Sequence, residues 1–542
     1  MKTSRLLLLL HSHIPYVYKS GVWPFGEEWL YEAAADTYLP FLDMLKRLAK
    51  SGTGGAFTVN LSPVLLEQLA NGEIKEGLLK YLRDRIKYAG SDYMKFSGAG
   101  QRRLAAMAEN YSAHYEGLIR LLESMDCDLV GKFREFRNAG LIEITASAAT
   151  HSYLPLLLRV SSVYAQIKIG VELYEKHFGA MPAGFWLPEC GYRPEYRIYD
   201  PQGASYVKPS IDEVLWQEGI KYFFCDESAV ASPFFDSDRA PREVDYQACS
   251  QGDEFYSEPF RLNSGCVVFI RNRKTSMQVW SGDYGYPASG EYLEFHKKSE
   301  NSGLRYWSIT DRQLPLDKKT EYDPARAAQA VKSHAGHYAG AVRDVLSGAE
   351  AENPVLPVYF DMELFGHWWA EGISFLETFA GKLAQEGEVS LAYPAGMDIN
   401  RGSLKQVDLN ESSWGRGGAH YIWLNEETAW IWPYIYIAEE KVERMLTLYP
   451  EAGEEEVQYL KRLAVENLLL QSSDWIFMVT TNQAKSYALE RIMSHFKNIE
   501  ALSNILENMN FNAESREILE KIRSSSGIMD LVDYRHFRSR EP

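Results

Sequence analysis

A short apolar segment that ends on a carboxylate constrains this chain more than any other feature of its sequence. Residues 184–187 (GFWL) have the composition of a buried strand, and Pro188 ends that strand directly before Glu189. A carboxylate in this position is costly unless it is paired or used, because leaving water disfavours its ionised form. We therefore consider Glu189 as a catalytic group, with a structural ion pair to Arg193 as the alternative.

A second apolar segment, residues 355–360, also ends on an acid, Asp361. Active sites of α/β barrels lie at the C-terminal ends of their strands, so two such ends predict a catalytic pair. Glycosidases that retain the anomeric configuration need two carboxyl groups about 5–5.5 Å apart, and inverting enzymes need about 6.5–9.5 Å. The sequence predicts the pair and leaves its separation open.

The composition is that of an ordinary globular protein. The 542 residues are 46% hydrophobic and 13% aromatic, which is enough for a large core and two or three domains. A net charge of −17 disfavours nucleic acid and anionic membranes as partners and favours a neutral substrate. The 13 tryptophans and 34 tyrosines are compatible with carbohydrate binding, because flat rings with polar edges match the faces and hydroxyl rims of sugars.

The cysteines and the first residues bear on the compartment. Five cysteines without CxxC spacing indicate neither a disulfide framework nor a zinc site and predict reduced thiols in the cytoplasm. The five leucines at residues 6–10 are followed at once by His11, so they fall short of the roughly 7–15 apolar residues of a secretory signal. We expect them to form the first buried strand, and we expect no membrane partner.

Strand and helix patterns alternate along the first 400 residues. Besides the two segments that end on an acid, the sequence predicts five strands, at residues 5–10, 56–60, 142–146, 222–225 and 266–270. Helical patterns separate these strands. This alternation predicts a mainly parallel sheet, closed or wound by right-handed crossovers. Residues 74–139 are too long for a simple crossover and predict a helical insertion, and residues 227–259 have the length and composition of a lid, a binding loop or disorder.

Five segments, in order along nearly the whole chain, together resemble glycoside hydrolase family 57. They are residues 11–16 (HSHIPY), Glu143 with 149–151 (ATH), residues 186–190 (WLPEC), residues 360–369 (FDMELFGHWW), and residues 414–415 (WG) with Trp423. Within that family the likeness is greatest to members of the branching-enzyme type, which act on α-1,4-glucan. The resemblance implies an α/β fold, with a distorted, TIM-like (β/α)7 barrel over residues 1–400 and a C-terminal α-helical domain, residues 401–542, that contributes to the cleft.

The resemblance also implies a retaining mechanism. Glu189 matches the nucleophile and Asp361 the acid/base of an enzyme that cleaves α-1,4 links and transfers the chain to form α-1,6 branches. The expected partners are amylose, glycogen and maltooligosaccharides. No cofactor and no metal are expected, and the protein is expected to be a monomer.

Nine further residues are implied to bind substrate. The resemblance places His11, His13 and His151 in the donor-sugar subsite and stacks Trp280, Trp414 and Trp423 on glucose units. It brings Asp474 from the helical domain into the cleft and adds Trp29 to the binding set. Tyr256, in the 227–259 loop, is our first candidate for the tyrosine that shields the glycosyl intermediate from water, and Tyr246 is the second.

Four alternatives stay open from the sequence. The enzyme could be a 4-α-glucanotransferase or an α-amylase-type hydrolase. These activities differ from branching in how well the site excludes water and how the acceptor chain docks, and the sequence determines neither property. The histidines could be ligands of a metal-dependent sugar deacetylase, although no ligating acid stands beside strand one. A non-catalytic glucan-binding protein is the fourth, and the presence of both carboxylates argues against it.

Overall fold

A computed structural model of the protein describes residues 4–53, 56–199, 205–230, 252–397, 399, 404–529 and 532–540. Its strands are β1 (Ser4–Ser12), β2 (Phe57–Leu61), β3 (Ile142–Ser147), β4 (Gly184–Trp186), β5 (Tyr196–Tyr199), β6 (Ser205–Lys208), β7 (Tyr222–Cys225), β8 (Phe260–Arg261), β9 (Val267–Ile270), β10 (Val355–Asp361) and β11 (Val389–Leu391). The helices of the first 400 residues are α1 (Glu27–Ala33), α2 (Leu39–Ser51), α3 (Pro63–Ala70), α4 (Gly72–Gly98), α5 (Arg102–Glu123), α6 (Leu129–Asn138), α7 (Val160–Phe178), α8 (Ile211–Gln217), α9 (Arg273–Trp280), α10 (Pro324–Gly348) and α11 (Gly372–Glu386). A π-helix, Ala34–Tyr38, joins α1 to α2.

The main sheet is a distorted barrel. Its strands follow the order β10-β1-β2-β3-β4-β7-β9-β8, the first seven of them are parallel, and β11 pairs with the start of β1. Two hydrogen bonds connect β10 with β9 and the residue stretch that follows it, which closes the ring of parallel strands. Asn272 N–H donates to Pro357 O and the Tyr359 hydroxyl donates to Phe269 O, both at 2.8 Å. The predicted (β/α)7 barrel is confirmed.

Both faces of β1 are buried, which explains its run of five leucines. Leu7 and Leu9 lie in the barrel interior with Trp186, Phe224 and other aromatic residues. Leu6, Leu8 and Leu10 belong to the larger core beneath the surrounding helices. Alternate side chains of a strand point to opposite faces, so a strand of a fully covered parallel sheet needs an unbroken apolar sequence.

The segment predicted as a helical insertion consists of α4, α5 and α6, between β2 and β3. Beyond residue 400 the chain forms α12 (Trp432–Leu448), α13 (Glu454–Leu470), α14 (Ser473–Thr481), α15 (Lys485–Glu507) and α16 (Ala513–Ser526). Three of these were predicted, while α14 and α16 were not. The domain boundary at residue 400 remains a prediction. Among the described residues, no helix combines the length and apolarity that crossing a bilayer would require.

Helix α7 approaches the end of β3 so closely that only glycine fits at one position. A Cβ atom on Gly170 would lie 2.0 Å from the carbonyl oxygen of Ser147, and Ala149 N–H donates to Gln166 O at 2.9 Å beside it. This contact holds the loop that follows β3, which leads to His151.

We expect Gly170→Ala to lower the free energy of unfolding by about 1–3 kcal/mol, because backbone on both sides must shift. The control is Gly90→Ala in α4, where an added Cβ would meet nothing within 4 Å. That variant should be stabilised by up to about 1 kcal/mol through helix propensity. Urea unfolding measures the free energy of unfolding of both variants. Equal changes in Gly170→Ala and Gly90→Ala would contradict the close approach of α7 to β3.

Candidate active site

A cleft of about 1440 Å³ opens at the C-terminal ends of the parallel strands. It is larger than the roughly 300–1,000 Å³ of most small-molecule pockets, so it suits an extended ligand. Its walls include ten of the eleven residues predicted for the site: His11, His13, Trp29, His151, Glu189, Trp280, Asp361, Trp414, Trp423 and Asp474. The fold thus brings together residues spread over more than 460 positions of the chain.

Glu189 lies in a strained turn directly after β4. Its φ of 62° and ψ of 21° place it in the left-handed region, which residues other than glycine seldom occupy. Trp414 holds it twice: the indole Nε1–H donates to Glu189 Oε2 at 2.7 Å, and the backbone N–H of Trp414 donates to Glu189 O at 3.0 Å. Arg193 pairs with Glu411 instead, so the alternative ion pair between Arg193 and Glu189 is not formed.

Asp361 ends β10 and lies opposite His11 in the parallel register of β1 and β10. Burial raises the pKa of Asp361 to about 8, with a further contribution from Glu363. Burial also raises the pKa of Glu189 to about 8, and the charge of Asp361 adds to this. The two carboxyl groups therefore titrate as an interacting pair. The hydrogen bond from the Trp414 indole favours the anion of Glu189 and so opposes the rise in its pKa.

Three histidines line the floor of the cleft as a stacked group. His11 Nδ1 lies 2.7 Å from Asn60 Oδ1, and its Nε2 lies 3.0 Å from Nε2 of His151. His151 Nδ1 lies 2.9 Å from Ser473 Oγ. Burial lowers the pKa of His11 to about 3 and that of His151 well below its ordinary value, so both rings are neutral. Neutral imidazoles can donate to or accept from sugar hydroxyl groups.

The geometry of this group does not suit a metal ion. Ligand atoms of His13, His151 and Asp474 lie within 4.8 Å of one another. However, the His13 and His151 rings are stacked, with centroids 3.9 Å apart and an interplanar angle of 16°. A metal must lie close to the plane of each imidazole, and two nearly parallel planes do not meet at coordination distance. His13 Nε2 already contacts Asp474 Oδ2 at 2.8 Å, so the arrangement does not support the deacetylase alternative.

Three of the predicted tryptophans present partly exposed rings to the cleft: Trp29, Trp280 and Trp414. Trp280 is anchored by its Nε1–H, which donates to Tyr359 O at 3.1 Å. Trp423 is placed differently, because its ring is 0% exposed and stacks on Tyr153 at 4.1 Å. In this conformation Trp423 supports the cleft wall and has no free face for a glucose unit.

Tyr256 is the predicted site residue that the structure does not bring into the cleft. It is 3% exposed and packs edge-on against Phe255, with ring centroids 5.4 Å apart. The shielding role expected of Tyr256 therefore finds no support in its placement. Most of the predicted lid, residues 231–251, lies outside the described residues.

Glu363 and Trp368 are cleft residues that the sequence reasoning missed. Glu363 accepts hydrogen bonds from Tyr38 O–H and from the backbone N–H of His13 at 3.2 Å, and burial raises its pKa to about 7. Its position two residues after Asp361 was the available signal. Trp368 is 49% exposed and Trp369 2%, so only the first faces the cleft.

Arg271 is a third cleft residue that the sequence analysis did not single out. It forms a buried ion pair with Asp226 and lies 5.7 Å from the ring centroid of Trp414. Its positive charge opposes the rise in the pKa of Asp361. The cation thus supports the indole that holds Glu189 and also acts on the second carboxylate.

Two protein-family models match the chain. The model described as "Glycosyl hydrolase family 57" matches residues 7–397. The model described as "1,4-alpha-glucan branching enzyme, C-terminal" matches residues 434–537. The first contains both carboxylates, and the second contains Asp474 and helices α13 to α16.

Similar proteins cover nearly all of the chain. A 1,4-α-glucan branching enzyme of Thermococcus kodakarensis is 38% identical over 505 residues, which are 92% of this chain and 73% of that protein. The crystal structure of a family 57-type branching enzyme from Pyrococcus horikoshii superposes with a TM-score of 0.90 at 35% identity, covering 99% of this chain and 97% of the other. An α-amylase from Thermotoga maritima, AmyC, gives a TM-score of 0.82 at 27% identity, covering 99% of both chains.

The raised pKa of Glu189 predicts that the folded protein loses stability as the pH rises from about 4.5 to about 8. Between the ordinary pKa of about 4.5 and the folded value of about 8, the unfolded chain has lost this proton while the folded chain keeps it. Stability therefore falls as pH rises through this window, by up to about 1.4 kcal/mol per pH unit.

Glu189→Gln removes this titration, so we expect the variant to exceed the wild type in unfolding temperature above pH 8 and the difference to shrink towards pH 5. Thermal unfolding across pH 5–9 measures it. The exposed change Glu109→Gln on α5 serves as the control and should show no such trend. A difference that stays constant with pH would contradict the assigned shift.

Proposed function

The chain belongs to glycosyl hydrolase family 57 and is an enzyme of the α-1,4-glucan branching type, and we propose that Glu189 and Asp361 carry out its reaction. One observation carries the proposal. Two carboxyl groups with pKa values raised to about 8, one after β4 and one at the end of β10, line one cleft, and only Glu189 accepts a hydrogen bond from an indole. Paired carboxyl groups whose environments differ are the usual means of dividing acid and nucleophile roles.

In the first step the Glu189 carboxylate attacks the anomeric carbon of an α-1,4-linked glucose unit. The bond to the leaving oxygen breaks, and Asp361 donates its proton to that oxygen, which leaves a glycosyl-enzyme and a shortened chain. In the second step the O6 hydroxyl of an acceptor glucose attacks the same carbon while Asp361 takes its proton. The product has an α-1,6 link, Glu189 is regenerated as the anion, and the anomeric configuration is retained.

The other cleft residues bind and position the donor sugar. The three histidines and Asp474 supply hydrogen bonds at the floor. Trp29, Trp280 and Trp414 offer their rings to the flat faces of glucose units. Amylose, glycogen and maltooligosaccharides share this α-1,4-linked unit and are the proposed substrates. Trp414 has two roles, since the same side chain borders the glucan path and donates to the nucleophile.

A cytoplasmic location and a monomeric state complete the proposal. Cys127, Cys190, Cys225 and Cys266 are all free thiols, which fits a reducing compartment. The proposed chemistry uses the two carboxyl groups and requires no metal.

Hydrolysis is the second candidate, favoured by the close superposition on the Thermotoga maritima α-amylase. A glycosyl-enzyme partitions between water and an acceptor hydroxyl according to which one reaches the anomeric carbon. The two activities can therefore share every catalytic residue and differ only in water access.

Product analysis on amylose tests the proposal. We expect the wild type to form α-1,6 links in excess over new reducing ends, measured by proton NMR of the product before and after debranching. Glu189→Gln should form neither, with kcat reduced more than about 10³-fold. A wild type that yields only reducing ends would establish hydrolysis instead, and a fully active Glu189→Gln would remove Glu189 from the nucleophile role.

Asp361→Ala separates the acid from the nucleophile. Amylose has a poor leaving group that needs protonation, so kcat/KM on amylose should fall by about 10²–10⁴-fold. An α-maltosyl fluoride leaves without protonation, so the first step on that substrate should be largely preserved, as fluoride release would show. Glu189→Gln is the matched control and should lose activity on both amylose and α-maltosyl fluoride. If Asp361→Ala lost equal activity on amylose and on α-maltosyl fluoride, the role of Asp361 as the acid would be contradicted.

A further inference from the structure

A second cavity lies beside the cleft and shares one wall with it. It has a volume of about 530 Å³, within the range of small-ligand pockets. It is lined by the π-helix, α4, α5 and the two loops around residues 293–305 and 366–374, and no role has been assigned to it above. His367 lines both the second cavity and the cleft, so the two adjoin at this side chain.

Three residues that line this cavity carry a polar atom without a hydrogen-bond partner in the described parts of the chain. Asp36 uses Oδ2 for both of its contacts, with His367 Nδ1 at 3.1 Å and Arg305 Nη2 at 3.4 Å. Within the described parts of the chain, Asp36 Oδ1, His367 Nε2 and the hydroxyl of Tyr115 form no hydrogen bond. Tyr115 is 5% exposed and lines the cavity. An acceptor, an imidazole nitrogen and a hydroxyl group are thus available to a ligand.

The charges around the cavity indicate a neutral ligand. Arg85 pairs with Glu28 at 2.6 Å, Arg305 with Asp36 at 3.4 Å, and Arg47 with Glu377 at 2.7 Å. Each of these guanidinium groups already has a carboxylate partner, and the cavity is also lined by Glu32 and Asp43 besides the exposed Lys298, so an anion would meet acids as well as paired cations. Hydroxyl groups can add hydrogen bonds to such pairs without breaking them. A neutral polyhydroxyl compound fits this wall better than an anion.

Two segments connect the cavity to the catalytic groups. The π-helix carries Asp36 on the cavity side, and two residues later it carries Tyr38, whose hydroxyl donates to Glu363 in the cleft. The segment after β10 starts at Asp361, continues through Glu363 and reaches the cavity at His367. A π-helix is uncommon and is frequently found at functional sites.

We propose that this cavity is a second binding site for one or two glucose units of an α-glucan chain, separate from the catalytic subsites. The proposal rests on the proposed function, because a branching reaction handles a donor and an acceptor segment at the same time. The cavity holds a neighbouring segment while the cleft acts on the first. Asp36, His367 and Tyr115 supply the hydrogen bonds, and the partly exposed rings of Tyr81 and Tyr111 border the bound sugar.

A matched pair of tryptophan substitutions tests this site. Ala113 lines the cavity and is exposed on α5, while Ala106 is exposed on the same helix and does not line it. In Glu189→Gln protein, which does not turn over its ligand, titration calorimetry with maltotriose should show two sites per chain. Adding Ala113→Trp should leave one site, and adding Ala106→Trp should leave two.

A finer variant guards against misfolding of the tryptophan variants. Tyr115→Phe keeps the buried ring and removes its hydroxyl, so it should weaken only the second site, by about two- to tenfold. A single site in the Glu189→Gln protein, or two sites with unchanged affinity in both Ala113→Trp and Tyr115→Phe, would overturn the proposal. The calorimetric readout does not depend on branching activity. A wild type that forms no α-1,6 links would refute the proposed function, but it would not change the number of binding sites that calorimetry measures.

Discussion

The parallel pairing of β1 with β10 is the interaction on which the cleft depends. It joins residues about 350 positions apart and places His11 directly opposite Asp361. The apolar sequence of β1 buries both of its faces, so a shift of register would expose part of the leucine run or bury the histidines in the barrel interior. The hydrophobic pattern that folds the sheet therefore also fixes the positions of His11 and Asp361 relative to each other along the strand direction.

The site concentrates groups that are costly to bury. Two carboxyl groups with raised pKa values, a third acid at Glu363 and histidines with lowered pKa values all lie around one cleft. Glu189 additionally occupies a strained backbone conformation. The surrounding barrel and helices offset these costs, and the resulting electrostatics are what acid and nucleophile chemistry requires. The stability of the whole fold and the reactivity of the site are linked through these same carboxyl groups.

Residues beyond position 400 complete the site instead of merely covering it. The indole of Trp414 holds Glu189, Ser473 contacts His151, and Asp474 contacts His13. Each contact joins the barrel to the later part of the chain, and Ser473 and Asp474 belong to the segment that the branching-enzyme C-terminal model matches. The similarity to both branching enzymes and an α-amylase is understandable on this basis, because the shared chemistry needs this assembly and the outcome depends on access of water.

The sequence by itself determined the barrel class, the two strand-end carboxylates and most of the cleft residues. These features follow local patterns: apolar strands ending on acids, helical periodicity and short motifs in a fixed order. Only the tertiary structure decided that Trp423 is buried behind Tyr153, that Tyr256 packs away from the cleft, and that Arg193 pairs with Glu411. These outcomes depend on which side chains meet across hundreds of residues. A local pattern can mark a residue as aromatic or charged, but the packing of distant segments decides whether it faces the substrate, the core or a counter-ion.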